Sequence, residues 1–287
     1  MPGSRPELFP KAFAGGADAI SFDLEDAVVP ASKDQARRDV VAGLTGLVND
    51  SDKVVIVRVN ALSTDHFSAD VAALAGVGAD IINLPKVETR DDILRALDKI
   101  SRTESLAGSA HQANILANIE TPKGLRLALE IATADSRVIG LQLGFTDFSL
   151  ACGIHPQDKT ALNAVRVAIR FASAEAGIAC YDGAFPDVKD VDAFRRECEE
   201  ARNLGFAGKS CIHPSQVVIA NDVFAPTAHE VARAVAIIDA ASKATESGMG
   251  AFLHEGEMID IPIVVRAQAV VALAEKLGLT TTARPGS

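Results

Sequence analysis

Charged and polar residues follow seven short apolar segments of this 287-residue chain, at the point where each segment ends. Carboxylate, guanidinium and ammonium groups can bind a metal ion, transfer a proton or stabilise an anion. The sequence therefore places side chains capable of chemistry at the same position in each segment, directly at its end. These segment ends are 23–26 (Asp-Leu-Glu-Asp), 58–60 (Arg-Val-Asn), Lys86, Glu120, 144–147 (Gly-Phe-Thr-Asp), Asp182 and 209–213 (Lys-Ser-Cys-Ile-His).

Glu120 and Asp147 end two consecutive segments. Because neighbouring strands of a sheet lie about 4.8 Å apart, carboxylates at the same level of two strands can share one ion. Mg²⁺ is usually held by one or two carboxylates, while waters and substrate oxygens complete its octahedron. The pair predicts a Mg²⁺ site at Glu120 and Asp147, and the alternative is a pair of capping or salt-bridged carboxylates.

Arg58 lies inside an apolar segment, where an unpaired charge is costly. Its guanidinium can hold a carboxylate or a developing enolate. It can also pair with Glu25 and Asp26 of the acidic cluster Asp23, Glu25 and Asp26, and the two roles are compatible. We expect these three carboxylates to hold metal-bound water rather than to bind the metal directly.

Other polar residues have simpler alternatives. The spacing of Lys33 and Arg37 could place both on one face of a helix, where they would supply cations beside the acidic cluster. The alternative is that this helix face is solvated. His213 precedes a proline and suits a structural histidine, and Cys211 suits a core residue better than a nucleophile. The chain has no Gly-x-Ser-x-Gly elbow, Walker loop or Gly-x-Gly-x-x-Gly, so those chemistries lack support.

The segments that position these residues alternate between two patterns. Most strand candidates are apolar without alternation, which is typical of strands buried on both faces. Amphipathic stretches such as 123–134 and 160–176 predict helices between them. This alternation predicts a parallel sheet, and a (β/α)8 TIM barrel gathers its strand ends at one mouth. The strand candidates are 19–25, 54–60, 80–86, 114–120, 137–144, 178–182 and 206–212.

The C-terminal region has a different pattern. A helical region at 216–246 precedes a break at 247–257, which contains Gly248, Gly250 and Gly256, and a final helix at 261–278. We predict a catalytic barrel domain over 1–246 and a C-terminal helical lid or arm over 247–287. The alternative is a plain helical hairpin in which Asp260 caps the final helix.

Composition excludes several classes. The net charge of -10 argues against a general binder of nucleic acid or anionic membranes. The four cysteines form no Cys-x-x-Cys pair, which argues against a zinc site or disulfide framework and for a reducing cytoplasm. The sequence also lacks an apolar stretch of membrane-spanning length and a signal-peptide pattern at its N-terminus.

Taken in order, several motifs resemble the HpcH/HpaI aldolase/citrate lyase β-subunit family. The resemblance spans about residues 2–216, and although each motif is weak alone, the ordered set is specific. The motifs are Pro-Gly-Ser-Arg-Pro-Glu at 2–7, Phe-Asp-Leu-Glu-Asp-Ala-Val at 22–28, Val-Arg-Val-Asn at 57–60, Leu-Pro-Lys at 84–86, Ile-Glu-Thr-Pro at 119–122, Gly-Phe-x-Asp-Phe at 144–148 and Ile-His-Pro-Ser-Gln at 212–216.

This resemblance implies a (β/α)8 barrel that uses Mg²⁺ on Glu120 and Asp147, with Arg58 on the substrate. Such enzymes cleave or form a C–C bond beside a carbonyl, usually in a CoA thioester such as citramalyl-CoA or malyl-CoA. In the stand-alone lyases a lid Asp completes a neighbouring subunit's site, and Met258-Ile-Asp-Ile-Pro resembles that lid motif. The resemblance thus favours a catalytic Asp260 and a homo-oligomer, expected to be a trimer with shared lids. Arg5 and Lys11 are the candidates for binding the CoA phosphates.

The N-terminus departs from the family pattern. Relatives begin with a strand that resembles Arg-Ser-x-Leu-Phe-Val-Pro-Gly, whereas Met1 stands here at the position of the Val. We therefore expect the first barrel strand to be missing, and strands 19–25 and 206–212 to flank a gap unless other chain material fills it. A misassigned start codon is the expected cause.

Two alternatives to a stand-alone lyase remain open. The same site could direct water at the thioester, which would make a malyl-CoA-type thioesterase. The chain could also be the β subunit of a citrate lyase complex that acts on an acyl-carrier-protein thioester, and such a subunit would not need the C-terminal lid.

Overall fold

The computed structural model describes residues 1–47, 52–156, 158–246 and 250–279. The chain separates into two compact units, the first spanning Met1–Ala220 and the second beginning at Asn221. None of the helices in the described ranges is long and apolar enough to cross a membrane.

The first unit is an α/β fold built on one parallel sheet. Its strands follow one another in chain order across the sheet, which is the order of a barrel rather than of a doubly wound sheet. The strands are β1 (Ala19–Asp23), β2 (Val54–Arg58), β3 (Ile81–Leu84), β4 (Asn114–Ile119), β5 (Val138–Leu143), β6 (Ala179–Asp182) and β7 (Gly208–Lys209).

Helices connect these strands, and several of them begin at a side-chain cap. Thr89 and Asp92 form a capping box, and Asp158 and Asp190 each accept a backbone N–H three residues on. The helices are α1 (Phe9–Phe13), α2 (Lys33–Leu47), α3 (Asp65–Leu74), α4 (Arg90–Leu106), α5 (Pro122–Arg126), α6 (Ala128–Ala132), α7 (Phe145–Cys152), α8 (Lys159–Glu175), α9 (Val191–Asn203) and α10 (Pro214–Phe224), with 3₁₀ turns at Pro6–Leu8 and Pro30–Ser32.

Six predicted strands are confirmed to within two residues at either end. The seventh prediction, 206–212, is too long, since β7 contains only Gly208 and Lys209. The backbone N–H of Ile212 bonds the side chain of Gln216 at 2.9 Å, so the chain has already left the sheet there.

The outer edge of β1 is partly covered. Pro2 forms an isolated parallel bridge with Asp23. Gly3 donates its N–H to the carbonyl of Asp23 at 2.8 Å, and Asp23 donates to the carbonyl of Met1 at 2.9 Å. The described sheet ends at β1 and β7, and residues 1–3 lie along the carboxyl end of β1.

Two helix predictions need correction. The segment 123–134 is not one helix, because Leu127, with φ −104° and ψ 17°, leaves the helical region between α5 and α6. The region 216–246 is also divided. Pro226 interrupts it, and Thr227 then starts α11 (Ala228–Glu246) with a reciprocal bond pair to Glu230.

The second unit contains α11, a hairpin of β8 (Phe252–His254) and β9 (Glu257–Ile259), and α12 (Ile261–Lys276). The hairpin was not predicted. Glu255 and Gly256 both have positive φ, at 50° and 83°, which matches a tight two-residue turn. Of the predicted hinge glycines, Gly248 lies outside the described residues. A small core joins the three elements through Ala234, Ile237, Ile259 and Ala267.

Candidate active site

Asp23 and Arg58 form the centre of a charged cluster at the carboxyl ends of the strands. They are the last residues of β1 and β2 and face each other in the register of the sheet. The Arg58 Nε donates to Asp23 Oδ1 at 2.9 Å, and Nη2 bonds the other oxygen. Burial favours a raised pKa for Asp23, but the hydrogen bonds and charge of Arg58 outweigh it and lower the pKa.

Arg58 is a fixed cation. Its burial opposes the charge, yet the hydrogen bond and charge of Asp23 and the charges of Glu25 and Glu120 raise the pKa of the guanidinium. The guanidinium side chain keeps 24% of its surface exposed. It is therefore anchored on one side and accessible on the other, as the anion-binding role predicted from the sequence requires.

Glu25 lies between two cations and is 4% exposed. Lys86 Nζ donates to its Oε1 at 2.8 Å. Arg58 Nη1 lies 3.2 Å from Oε2, within ion-pair distance, but is not aligned for a hydrogen bond, so buried Oε2 has no hydrogen-bond partner among the described residues. Burial raises the pKa of Glu25 despite its cations. Asp26 is exposed and lies 3.5 Å from Lys86 Nζ.

Glu120 directly follows β4 and is 2% exposed. It accepts the backbone N–H of Lys86 at 2.9 Å and Asn118 Nδ2 at 3.1 Å. Burial, followed by the charges of Glu25 and Asp147, raises the pKa of Glu120 to about 7. The carboxylate packs on Gly144, where a Cβ would lie 2.5 Å from Oε1, so the site requires glycine there.

Asp147 lies in the first turn of α7 rather than at the end of β5, and it is half-buried. A carboxylate at this end of a helix is favoured by the helix dipole. Its charge contributes to the raised pKa values of both Glu120 and Lys86. The structure thus brings Asp147 into the electrostatic neighbourhood of Glu120, as predicted.

The cluster carries more negative than positive charge. Among the described residues, the carboxylates Asp23, Glu25, Asp26, Glu120 and Asp147 outnumber three cations: Arg58, Lys86 and the N-terminal ammonium of Met1, whose charge interacts with Asp23. Buried carboxylates in excess attract a cation. The described residues contain no group of three or more His, Cys, Asp or Glu side chains arranged to hold a metal by themselves. A cation here would need oxygens from water and substrate, which is typical of Mg²⁺.

A second network holds the loop after β1 in place. Lys33 is buried, and its Nζ donates to the carbonyls of Leu24 and Glu25 at 2.8 and 3.0 Å. Asn60 Nδ2 donates to the carbonyl of Leu24 at 2.9 Å and also bonds Asp70. The solvated-helix alternative for Lys33 is therefore wrong, and this lysine supports the backbone that carries the acidic cluster.

Arg5 and Lys11 lie outside this cluster. Both are exposed, Arg5 forms an ion pair with Glu7, and Lys11 lies on α1. The N–H of Gly3 bonds the Asp23 carbonyl, so the chain leading to Arg5 starts beside the cluster.

Asp182 and Lys209 form a separate buried ion network. Lys209 Nζ donates to Asp182 Oδ2 at 2.6 Å and to Glu197 Oε2 at 2.9 Å, and both Asp182 and the Lys209 side chain are 0% exposed. Arg166, 1% exposed, donates to both Asp182 oxygens. These two strand ends therefore join β6 and β7 to the helices and are closed to a substrate.

His213 and Cys211 have structural roles. Ser215 donates its N–H to His213 Nδ1 at 3.2 Å at the start of α10, which confirms the structural interpretation. Burial raises the pKa of the Cys211 thiol to about 11, so it is not a ready nucleophile.

Asp260 lies in the second unit at the N-cap of α12. Its Oδ1 accepts the N–H of Ile263 at 3.4 Å, and Pro262 occupies the first turn. The capping alternative is confirmed, while a catalytic role is compatible with this long bond and with a half-buried side chain.

Comparisons with known proteins find relatives over nearly the whole length of this chain. The citrate lyase subunit beta of Leuconostoc mesenteroides subsp. cremoris is 38% identical over 277 residues, which cover 96% of this chain and 91% of that subunit. The L-malyl-CoA/beta-methylmalyl-CoA lyase of Rhodobacter capsulatus is 33% identical over 295 residues, covering 96% and 92%.

The fold has a close match among solved structures. The crystal structure of CitE from Mycobacterium tuberculosis in complex with magnesium, acetoacetate and coenzyme A has a TM-score of 0.79 and 30% sequence identity, and the match covers 96% of each chain. The model of the HpcH/HpaI aldolase/citrate lyase family matches residues 1–214, which is nearly all of the first compact unit. The chain therefore belongs to the HpcH/HpaI aldolase/citrate lyase family.

Proposed function

We propose that this protein is a Mg²⁺-dependent C–C lyase that cleaves a 3-hydroxyacyl-CoA of the citramalyl-CoA or malyl-CoA type into acetyl-CoA and a 2-oxo acid, reversibly. The observation that carries the proposal is a fixed, partly accessible Arg58 beside an excess of carboxylates at the ends of β1–β5. Relatives named citrate lyase subunit beta and malyl-CoA lyase support the same reaction class.

Glu120 and Asp147 are the residues proposed to hold Mg²⁺. The pKa of Glu120 is raised because its burial and like-charged neighbours are not offset by enough positive charge. A divalent cation would remove that imbalance, so the residues fit the metal. When bound, Mg²⁺ supplies a template for the substrate's hydroxyl and carboxylate and a Lewis acid for the forming keto oxygen. The carboxylates of Asp23, Glu25 and Asp26 would accept hydrogen bonds from water held by the ion.

The protein's residues have separate roles in the proposed cleavage. The substrate's hydroxyl proton leaves to water, the C–O bond becomes a carbonyl, and the C–C bonding pair moves to the thioester fragment as an enolate. Arg58 stabilises this developing negative charge, because Asp23 holds its guanidinium in place. Asp260 then donates a proton to the enolate carbon, or removes one from acetyl-CoA in the reverse direction.

The remaining elements complete the proposal. We take residues 1–246 as the catalytic part, a (β/α)8-type barrel of which seven strands are described, and residues 247–287 as a lid that carries Asp260, although α11 belongs to the second compact unit. Arg5 and Lys11, exposed beside the segment that pairs with β1, bind the CoA phosphates. The subunits assemble as a homotrimer in which each lid completes a neighbouring site.

The β subunit of a citrate lyase complex is the second candidate. The 38% identity to the Leuconostoc subunit favours it. The match to that subunit covers 96% of this chain, and the uncovered part is shorter than the segment 247–287. The subunit therefore matches at least part of this segment, so the presence of the segment does not distinguish a stand-alone lyase from a citrate lyase subunit.

The deciding experiment is an assay of the purified protein with Mg²⁺ against citramalyl-CoA, malyl-CoA and methylmalyl-CoA. A lyase releases a short acyl-CoA and a 2-oxo acid, whereas a thioesterase releases free CoA and a hydroxy acid. Asp147→Asn should abolish turnover while circular dichroism shows an intact fold. Turnover only with an acyl-carrier-protein thioester would establish the second candidate instead.

A further inference from the structure

Lys86 has an unusual backbone conformation at the end of β3. Its φ is 54°, in the left-handed region that residues with a Cβ rarely occupy. Such a conformation persists only where surrounding contacts hold it, and it is often found at functional sites. Lys86 follows Pro85, so the strand ends in an ordinary turn motif, yet the left-handed residue is a lysine and not a glycine or asparagine.

The backbone of Lys86 contacts the proposed metal ligand. Its N–H donates to Glu120 Oε2 at 2.9 Å. The other carboxylate oxygen, Oε1, accepts from Asn118 at 3.1 Å. Because Glu120 is 2% exposed, these two bonds and the packing on Gly144 determine its orientation.

The side chain of Lys86 contacts a different part of the cluster. Nζ donates to Glu25 Oε1 at 2.8 Å and lies 3.5 Å from Asp26. Glu25 follows β1 and Glu120 follows β4, and these strands are not neighbours in the sheet. Lys86 therefore joins the acidic cluster to Glu120 through one residue, with its ammonium at one end and its N–H at the other.

We propose that Lys86 is a positioning residue of this site: its ion pair with Glu25 holds the left-handed backbone that presents the N–H to Glu120, and so fixes the Glu120 carboxylate for Mg²⁺. The inference rests on the proposed Mg²⁺ site. Lys86 needs no contact with the substrate in this role. This positioning role also explains why a residue with a strained backbone and a long cationic side chain occupies the turn after β3.

The test compares three variants by isothermal titration of Mg²⁺ without substrate. Lys86→Met removes the ammonium, so the backbone relaxes, and Mg²⁺ affinity should fall about tenfold, the usual scale for a residue that orients a metal ligand. Lys86→Arg keeps the charge and should restore affinity to within about threefold of wild type on the same scale. Lys159→Met, an exposed lysine paired with Glu200 on the surface, is the matched control and should leave affinity unchanged.

The direction of the change separates positioning from simple charge. If Lys86 were only a competing positive charge beside the carboxylates, its removal would leave Mg²⁺ binding unchanged or make it tighter, and that result would overturn the inference. A wild-type protein that does not bind Mg²⁺ would refute the proposed function instead. In that case a double-mutant cycle of Lys86→Met and Glu120→Ala, which removes the acceptor of the Lys86 N–H, measured by urea unfolding in EDTA, still decides the inference. Coupled effects support positioning, and additive effects reject it.

Discussion

Replacing Glu120 with glutamine should stabilise the metal-free protein at alkaline pH, although Glu120 belongs to the candidate site. Its carboxyl has a folded-state pKa of about 7 against an ordinary value of 4.5, because it is buried among like charges. Above that pKa the folded protein must hold a buried, uncompensated charge. Glutamine has nearly the same shape, can still accept the N–H of Lys86, and carries no charge.

The sign and size follow from linkage. Between pH 4.5 and 7 the folded state binds more protons at this position than the unfolded chain, so stability falls as pH rises through that window. Each tenfold change in proton affinity is about 1.4 kcal/mol, and the whole rise corresponds to about 3 kcal/mol. Loss of the attraction to Arg58 offsets part of this, so we expect a gain of about 1–3 kcal/mol at pH 8 and almost none at pH 4.5.

The assay is thermal and urea unfolding of wild type and Glu120→Gln in EDTA, from pH 4.5 to 8. The difference in stability between the two proteins should increase as pH rises. At pH 8 the variant should melt several degrees higher than wild type, at about 2–4 °C per kcal/mol. Glu130→Gln, an exposed glutamate on α6, is the control for loss of a charge. Added Mg²⁺ should stabilise wild type and not the variant. Parallel stability curves for wild type and Glu120→Gln would refute the reasoning.

Three further predictions follow from the packing and the proposed assembly. Gly144→Ala places a Cβ in the volume of the Glu120 carboxylate, so it should weaken Mg²⁺ binding in calorimetry at least tenfold, whereas unchanged binding would contradict the contact. Mixing inactive Asp260→Asn with inactive Arg58→Ala should restore some turnover in exchanged oligomers; background activity despite demonstrated subunit exchange would count against shared lids. Lys209→Met removes the cation that pairs with the carboxylates of Asp182 and Glu197, so it should lower the free energy of unfolding by about 3–5 kcal/mol. An unchanged midpoint of urea unfolding would contradict this prediction.

The strands and most of the acidic cluster were predictable from the sequence. Apolar runs such as 54–60 are ended by charged residues, and charges at the ends of parallel strands meet at one edge of a sheet. That logic placed Glu120 near Asp147 and Arg58 beside the acidic cluster, although Arg58 pairs with Asp23 and Glu25 and not with Glu25 and Asp26. It failed for β7, because a side chain of Gln216, and not a neighbouring strand, takes up the backbone donor of Ile212.

The roles of individual cations were not predictable. Lys86 follows β3 and Lys209 ends β7, yet Lys86 belongs to the candidate site and Lys209 is buried in an ion network with Asp182. Only the packing of the helices decides between the two outcomes, and periodicity carries no information about it. The left-handed backbone of Lys86 likewise has no signal in a single sequence, since lysine is not a residue that favours it.

The buried network of Arg166, Asp182 and Lys209 has a consequence for how this enzyme can change. In the part of the chain that the structure describes, two of the seven strand ends hold β6 and β7 in place. Because β7 is only two residues long, ion pairs between side chains replace most of its backbone hydrogen bonds. Evolution toward a new acyl group therefore has little freedom at those two positions. Libraries that aim to broaden substrate choice should leave them intact and diversify the loops that follow β1 to β5.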